Sequence, residues 1–201
     1  MEVLAIVRST GERTEAECIR RVMTQVEGVD TLRIAPFHEA VRECFRRGIE
    51  SGAQWLLTVD ADVLLHRNAV RELMAQPVNG WQIVGQVKDK LYGGVKLAGV
   101  RLYRVSKLPE VLPYVSDVLR PEGALTKIFE GWEPSREVVG HHDFDQWYRD
   151  YHRKGAQHRV KHPGWEKRVK YEWRRSPDRD LQAAWAGWAG QPMMFQEKAP
   201  L

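Results

Sequence analysis

Two rhythms of apolar and polar positions alternate along the first third of the chain. Val3 to Val7 is a nearly continuous apolar run, followed by the polar loop Arg8-Ser9-Thr10-Gly11-Glu12-Arg13. Ala16, Ile19, Val22, Met23 and Val26 then recur at helical spacing and stop near Gly28. Thr14 with Glu17 matches a capping box for that helix. Val29 to Ile34 predicts a weak second strand, and Phe37, Val41, Phe45 and Ile49 mark a second amphipathic helix closed by Ser51-Gly52. Trp55 to Val59 predicts a strand buried on both faces. The order strand, helix, strand, helix, strand points to an α/β sheet with right-handed crossovers.

That third strand ends in Asp60-Ala61-Asp62, where ligands of parallel sheets usually bind. Carboxylates spaced by two on extended backbone point the same way and can share a hard cation. The chain has two more such triplets, Asp143 with Asp145 and Asp178 with Asp180, but neither follows a buried strand.

Further on, Asn68 to Met74 predicts a short helix. Trp81 to Val87 and Val95 to Val105 predict strands flanking a loop with Gly93-Gly94. Leu108, Val111, Leu112 and Val115 suggest a helix, and Arg120-Pro121-Glu122 opens another that stops at Gly131. Val138-Val139-Gly140 leads into His141-His142-Asp143. These are expected at the start of a helix patterned by Phe144, Trp147, Tyr148 and Tyr151 and ending at Gly155. A last helix is expected from Asp178 to Ala186.

The 201 residues suffice for one domain with a core, and two cysteines, Cys18 and Cys44, give no disulfide framework. With no signal-peptide pattern or membrane-length apolar stretch, a soluble cytoplasmic protein is expected. The net charge of +4 is unevenly spread: residues 151–175 carry +7, leaving the remainder at −3. That segment also holds Trp165, Tyr171 and Trp173, a mixture suited to an anionic surface such as lipid headgroups, a diphosphate carrier or nucleic acid. A solvated basic helix with its aromatics turned inward is the competing expectation.

Three separated pieces carry a resemblance. The apolar strand ending in Asp60-Ala61-Asp62 looks like a D-x-D motif. Pro121-Glu122-Gly123-Ala124-Leu125 through Gly131-Trp132 looks like an acidic x-E-D segment with its helix, and Gly140-His141-His142-Asp143 is similar to a late metal-binding histidine. Together they resemble nucleotide-sugar glycosyltransferases of the GT-A fold, particularly the inverting family-2 type, over roughly residues 3–155. The resemblance implies a Rossmann-like, mixed but mostly parallel sheet flanked by helices, with a basic C-terminal extension. Residues 1–175 would form one catalytic domain, with 1–105 the nucleotide-sugar half and 106–175 completing the acceptor and metal sites. Residues 176–201 would be a helix and tail.

Carried over, the resemblance assigns Asp62, His142 and Asp60 to a divalent ion bridging the donor's phosphates, with His141 as the alternative to His142. Mixed oxygen and nitrogen ligands suit Mn²⁺ better than Mg²⁺. Glu122 would be the general base of an inverting transfer, with Asp143 or Asp145 as alternatives. Arg8, Ser9, Thr10, Arg13, Asp60 and Ala61 would hold the nucleotide; Arg120, Lys161 and His162 would face the diphosphate or acceptor. The implied partners are a nucleotide-sugar and a glycan, lipid-linked or other hydroxyl acceptor. An anionic membrane surface could engage 151–175, and nucleic acid is the weaker partner. The sequence departs from the family in having Arg8-Ser9-Thr10 where Pro-x-Tyr-Asn is usual, and Gly123 where an Asp follows the Glu.

Three other readings compete. A haloacid-dehalogenase-type phosphatase uses Asp-x-Asp after a strand, but the residue two past the second Asp is Leu64 rather than Thr or Val. A metal-dependent nucleotidyltransferase lacks its Gly-rich basic loop ahead of the aspartates. A nucleic-acid or membrane-surface module built on 151–175 leaves Asp60, Asp62, Glu122 and His142 without a role.

Overall fold

A computed structural model describes the chain except residues 1, 78, 92, 119, 162–171, 194, 200 and 201. The first half follows the expected alternation: β1 (Val3–Arg8), α1 (Glu15–Met23), β2 (Val29–Leu32), α2 (Phe37–Ser51), β3 (Trp55–Asp60), then β4 (Val63–Leu65) and α3 (Ala69–Ala75). The second half adds β5 (Gln82–Asp89), β6 (Gly94–Arg104), α4 (Leu108–Val111), α5 (Pro121–Ile128), β7 (Trp132–His142), α6 (Tyr148–Lys161) and α7 (Arg179–Ala189).

The strands form one mixed sheet in the order β2-β1-β3-β6-β5-β7-β4. β1 lies parallel to β2 and β3, whereas β6 runs antiparallel to both β3 and β5. β7 is parallel to β5 and antiparallel to β4. Successive residues of the central strands enter opposite cores, which is why those strands read as unbroken apolar runs. Ala5, Val7, Leu57 and Val59 pack with Val22 of α1 and Leu73 of α3; Ile6 and Leu56 pack with Phe45 of α2 and Leu125 of α5. Both cysteines are buried free thiols.

Several local expectations change. Thr14 does not cap α1: its hydroxyl donates instead to the Ala61 carbonyl at 2.7 Å, and Glu17 pairs with Arg20 and Arg21. The hydroxyl oxygen is turned toward Gln146, whose amide nitrogen donates to it, and so offers nothing to the helix's first N–H groups. His141 and His142 end β7 rather than open a helix, because pairing with Leu64 and Val63 of β4, and with Lys88 and Asp89 of β5, draws them into the ladder. The helix after Leu108 makes one α turn and then a tighter turn, Leu112–Tyr114, where Pro113 offers no N–H.

Helix α6 runs through Gly155 instead of stopping there. A Cβ at Gly155 would strike the Ala184 backbone, and one at Gly187 would strike the His152 backbone. The two glycines therefore let α6 and α7 pack backbone to backbone. Around this pair, Tyr151, Trp173 and Leu91 form a third cluster with Ala183 and Ala184. Tyr151 and Trp173 of the basic segment thus point inward, while Trp165 and Tyr171 lie outside the described residues. Among the described residues no helix is long and apolar enough to cross a membrane.

Gly187→Ala is expected to cost about 1–3 kcal/mol, since the obstructing atom is backbone. Thermal unfolding and hydrogen exchange should show the loss centred on α6 and α7. Gly94→Ala, where an added Cβ meets nothing within 4 Å, should leave stability nearly unchanged.

Candidate functional site

The carboxyl ends of β1 and β3 lie side by side, with Arg8 in register with Asp60. Both side chains turn into a cleft of ≈ 680 Å³, a size in the range of small-molecule sites. Arg8 is buried. Its guanidinium donates to Asp60 Oδ1 at 2.9 Å and to Glu122 Oε1 at 2.8 Å, and lies over the Phe37 ring. Glu122, in the first turn of α5, also accepts from the Tyr103 hydroxyl at 2.5 Å and lies 3.2 Å from Arg101 Nε.

This surrounding changes what Glu122 can do. Burial raises its carboxyl, but Arg8 and Arg101 outweigh that and bring it down to about 2. A carboxylate so stabilised is a weak proton acceptor at neutral pH, so the geometry favours a role in holding Arg8 and Arg101 over one as base. Asp60 goes the other way: burial lifts it to about 6 despite Arg8, with Asp62 and Glu122 adding to the rise.

Asp62 occupies the turn between β3 and β4, so the two aspartates do not share one extended segment. The turn is fixed by its backbone. Ala61 N–H donates to the Arg8 carbonyl at 2.9 Å, and Asp143 N–H donates to the Asp62 carbonyl at 3.0 Å. Ala61 itself is buried and acts through its main chain. On the facing strand the alternation of β7 sends His142 toward Asp62, while His141 packs between the rings of His66 and Phe144.

Asp62, His142 and Asp143 can bring one ligand atom each within 4.8 Å of one another. Asp89 holds His142 Nδ1 at 2.6 Å, which leaves Nε2 facing Asp62 Oδ1 at 3.5 Å. That Oδ1 is buried and accepts no hydrogen bond from any of the described residues. A carboxylate behind one ring nitrogen, an open nitrogen in front and an unpartnered oxygen opposite are a donor set that fits a divalent ion. Burial lowers the imidazole, but Asp143 and Asp62 prevail and raise it to about 10, so Nε2 gives up its proton when it takes a cation as ligand.

Of the other candidates, Ser9, Thr10 and Arg120 line the cleft. Arg13 lies outside it, bonding Asp145 and the Ala199 carbonyl and lying over Trp147. Asp145 pairs with Arg13 and Lys198, away from the cleft, which removes it as a base. The side chain of Lys161, and His162 altogether, lie outside the described residues.

The structure adds residues that sequence reasoning missed. Lys154 of α6 bonds Asp62 Oδ2 at 2.7 Å and also bonds Asp143. Lys96 pairs with Asp89, and Arg101 with Glu122. Lys154 had one faint signal, its place three residues after Tyr151 on one helix face. Tyr151 donates its hydroxyl to the Asp143 carbonyl at 2.5 Å.

Because the folded Glu122 carboxyl lies below its unfolded value of 4.5, its stabilisation is fully present above pH 4.5 and fades as pH falls through about 2. Glu122→Gln is expected to cost about 3–5 kcal/mol at pH 7, as for a broken buried ion pair. The gap between variant and parent should narrow between pH 4.5 and 2 in denaturant titrations; a pH-independent gap would contradict this account.

No protein-family model matches the chain, and no curated protein matches it in sequence. Solved structures do match. The mannosyltransferase PcManGT from Pyrobaculum calidifontis, in complex with GDP-Man and Mn²⁺, superposes with a TM-score of 0.52 at 11% identity, covering 94% of this chain and 74% of that one. The bifunctional IspDF of Campylobacter jejuni matches with a TM-score of 0.50 at 8% identity, over 69% of this chain and 52% of that one. Mannose-1-phosphate geranyltransferase from Thermus thermophilus is similar at 13% identity with a TM-score of 0.44, over 65% of each chain, so this chain spans less than two thirds of its length. The mixed seven-stranded sheet with its flanking helices has the GT-A-like fold of these structures.

Proposed function

We propose that this protein transfers a glycosyl group from a nucleoside-diphosphate sugar to an acceptor hydroxyl, with a divalent cation at Asp62, His142 and Asp143. The observation that carries the reading is the convergence of these three side chains at one end of the cleft, beside the turn after β3. The binding of GDP-Man and Mn²⁺ by the mannosyltransferase of similar fold supports it. Imidazole among the donors favours Mn²⁺ over Mg²⁺.

The ion's chemistry, when bound, is to neutralise charge on the departing diphosphate. The chain's own residues do the rest. Ser9 and Thr10 approach the nucleotide from the loop after β1, and Arg8, held by Asp60 and Glu122, forms the wall between nucleotide and acceptor. Arg120 and Arg153 line the cleft and supply positive charge for anionic groups of either substrate. With the diphosphate on the Asp62 side, a single displacement from the opposite face inverts the anomeric centre. For Glu122 to take the acceptor's proton it must first give up an arginine or the Tyr103 hydroxyl.

Nucleotidyl transfer is the second reading, since it too uses a nucleotide and a cation in this type of fold. Thermal-shift titrations separate the two. A nucleoside-diphosphate sugar with Mn²⁺ at about a hundredfold its Kd should stabilise the protein by about 2.7 kcal/mol, and Asp62→Asn should abolish the Mn²⁺-dependent part. Stabilisation by nucleoside triphosphates alone would favour nucleotidyl transfer, and no metal-dependent shift with any nucleotide would overturn both.

A further inference from the structure

The cation cluster already contains a cation. Lys154 reaches from α6 into the cleft and bonds Asp62 Oδ2 and Asp143. These are two of the three residues that can hold a divalent ion. Around them Lys96 pairs with Asp89, and the His142 ring lies against Asp62, Asp89 and Asp143. A divalent ion entering here must compete for two carboxylates that the Lys154 ammonium already compensates at contact distance.

We propose that Lys154 is the built-in counter-ion of this site, which a divalent ion must displace from Asp62 and Asp143 in order to bind. The inference rests on reading the cluster as a cation site, and it adds a residue to that reading.

The displaced ammonium cannot retreat far. Its helix is locked against α7 by the backbone contacts at Gly155 and Gly187, and Tyr151, one turn earlier, is tied to the Asp143 carbonyl. The Lys154 side chain is 19% exposed, so an ammonium stripped of both carboxylates needs another anion nearby. Within the same cleft that anion is the nucleotide's phosphate. Ion and nucleoside diphosphate are therefore expected to bind together far better than the ion alone. Lys154 acts by occupying and then releasing the carboxylates, so it is a positioning residue.

Mn²⁺ binding, followed by the electron paramagnetic resonance signal of the free ion, tests this directly. The parent protein should bind Mn²⁺ weakly alone and at least tenfold more tightly with GDP or UDP. Lys154→Met, which keeps the aliphatic stem, should bind Mn²⁺ alone at least tenfold more tightly than the parent. Lys154→Arg, which keeps the charge, should stay weak. Circular dichroism and thermal unfolding confirm that each variant is folded, and Lys154→Gln serves if the methionine variant is not. Affinity for Mn²⁺ that is unchanged or weaker in the neutral variants overturns the inference, whatever the nucleotide does. Tightening in those variants with no response to any nucleoside diphosphate upholds Lys154 as counter-ion and sinks the donor reading instead.

Discussion

A single buried guanidinium organises this molecule's working end. Arg8 terminates β1 inside the protein, where an unpaired charge costs several kcal/mol, so the structure around it must supply anions. It supplies them from two directions, Asp60 at the end of β3 and Glu122 from the first turn of α5. One ion-paired arginine thus joins the parallel half of the sheet to a helix more than a hundred residues later. The same requirement sets the acid chemistry beside it: Glu122 is locked as a carboxylate, and Asp60, sharing Arg8 and crowded by Asp62, is held less firmly.

The polar site is accordingly a lattice of alternating charge. Carboxylates from strand ends, one turn, one helix and the loop after β7 meet cations from β1, β6 and α6. Neighbouring strands contribute Asp89 behind His142 and Lys96 beside Asp89. In a low-dielectric cleft such a lattice is rigid only while each member keeps its partner. Binding of a charged ligand must therefore rearrange partners, and the groups able to move are the long ones, Lys154 and the arginines.

Much of this was legible in the sequence where local physics decides the outcome. The apolar run before Asp60 had to be a buried strand, and four-residue spacing from Phe37 to Ile49 had to be a helix. The αL backbone of Gly52, at φ 70°, closes that helix as the Ser51-Gly52 signal implied. What escaped was set by partners distant in sequence. Thr14 and Glu17 look like a cap, but the Ala61 carbonyl claims the hydroxyl. His141 and His142 look like a helix start, but β4 and β5 enrol them in the sheet. Gly155 looks like a helix stop, although its real neighbour is the Ala184 backbone. Lys154 sat among many basic residues, and nothing local marked it as the one that reaches two aspartates.

The short turn between β3 and β4 also governs the shape of the sheet. Only Ala61 and Asp62 separate these strands, yet in the sheet they stand four places apart, with β6, β5 and β7 between them. The chain from Asp60 to Val63 spans at most about 10 Å, whereas four flat strand spacings would need about 19 Å. The arc must bend until its ends meet, and Gly99 of β6, at φ 66°, marks the meeting place: a Cβ there would press on Val63 and stand near Asp60 and His142. The aspartate turn is thus the clasp of a nearly closed ring of strands. Closing that ring is what sets His142, at the end of β7, beside the aspartates that follow β3.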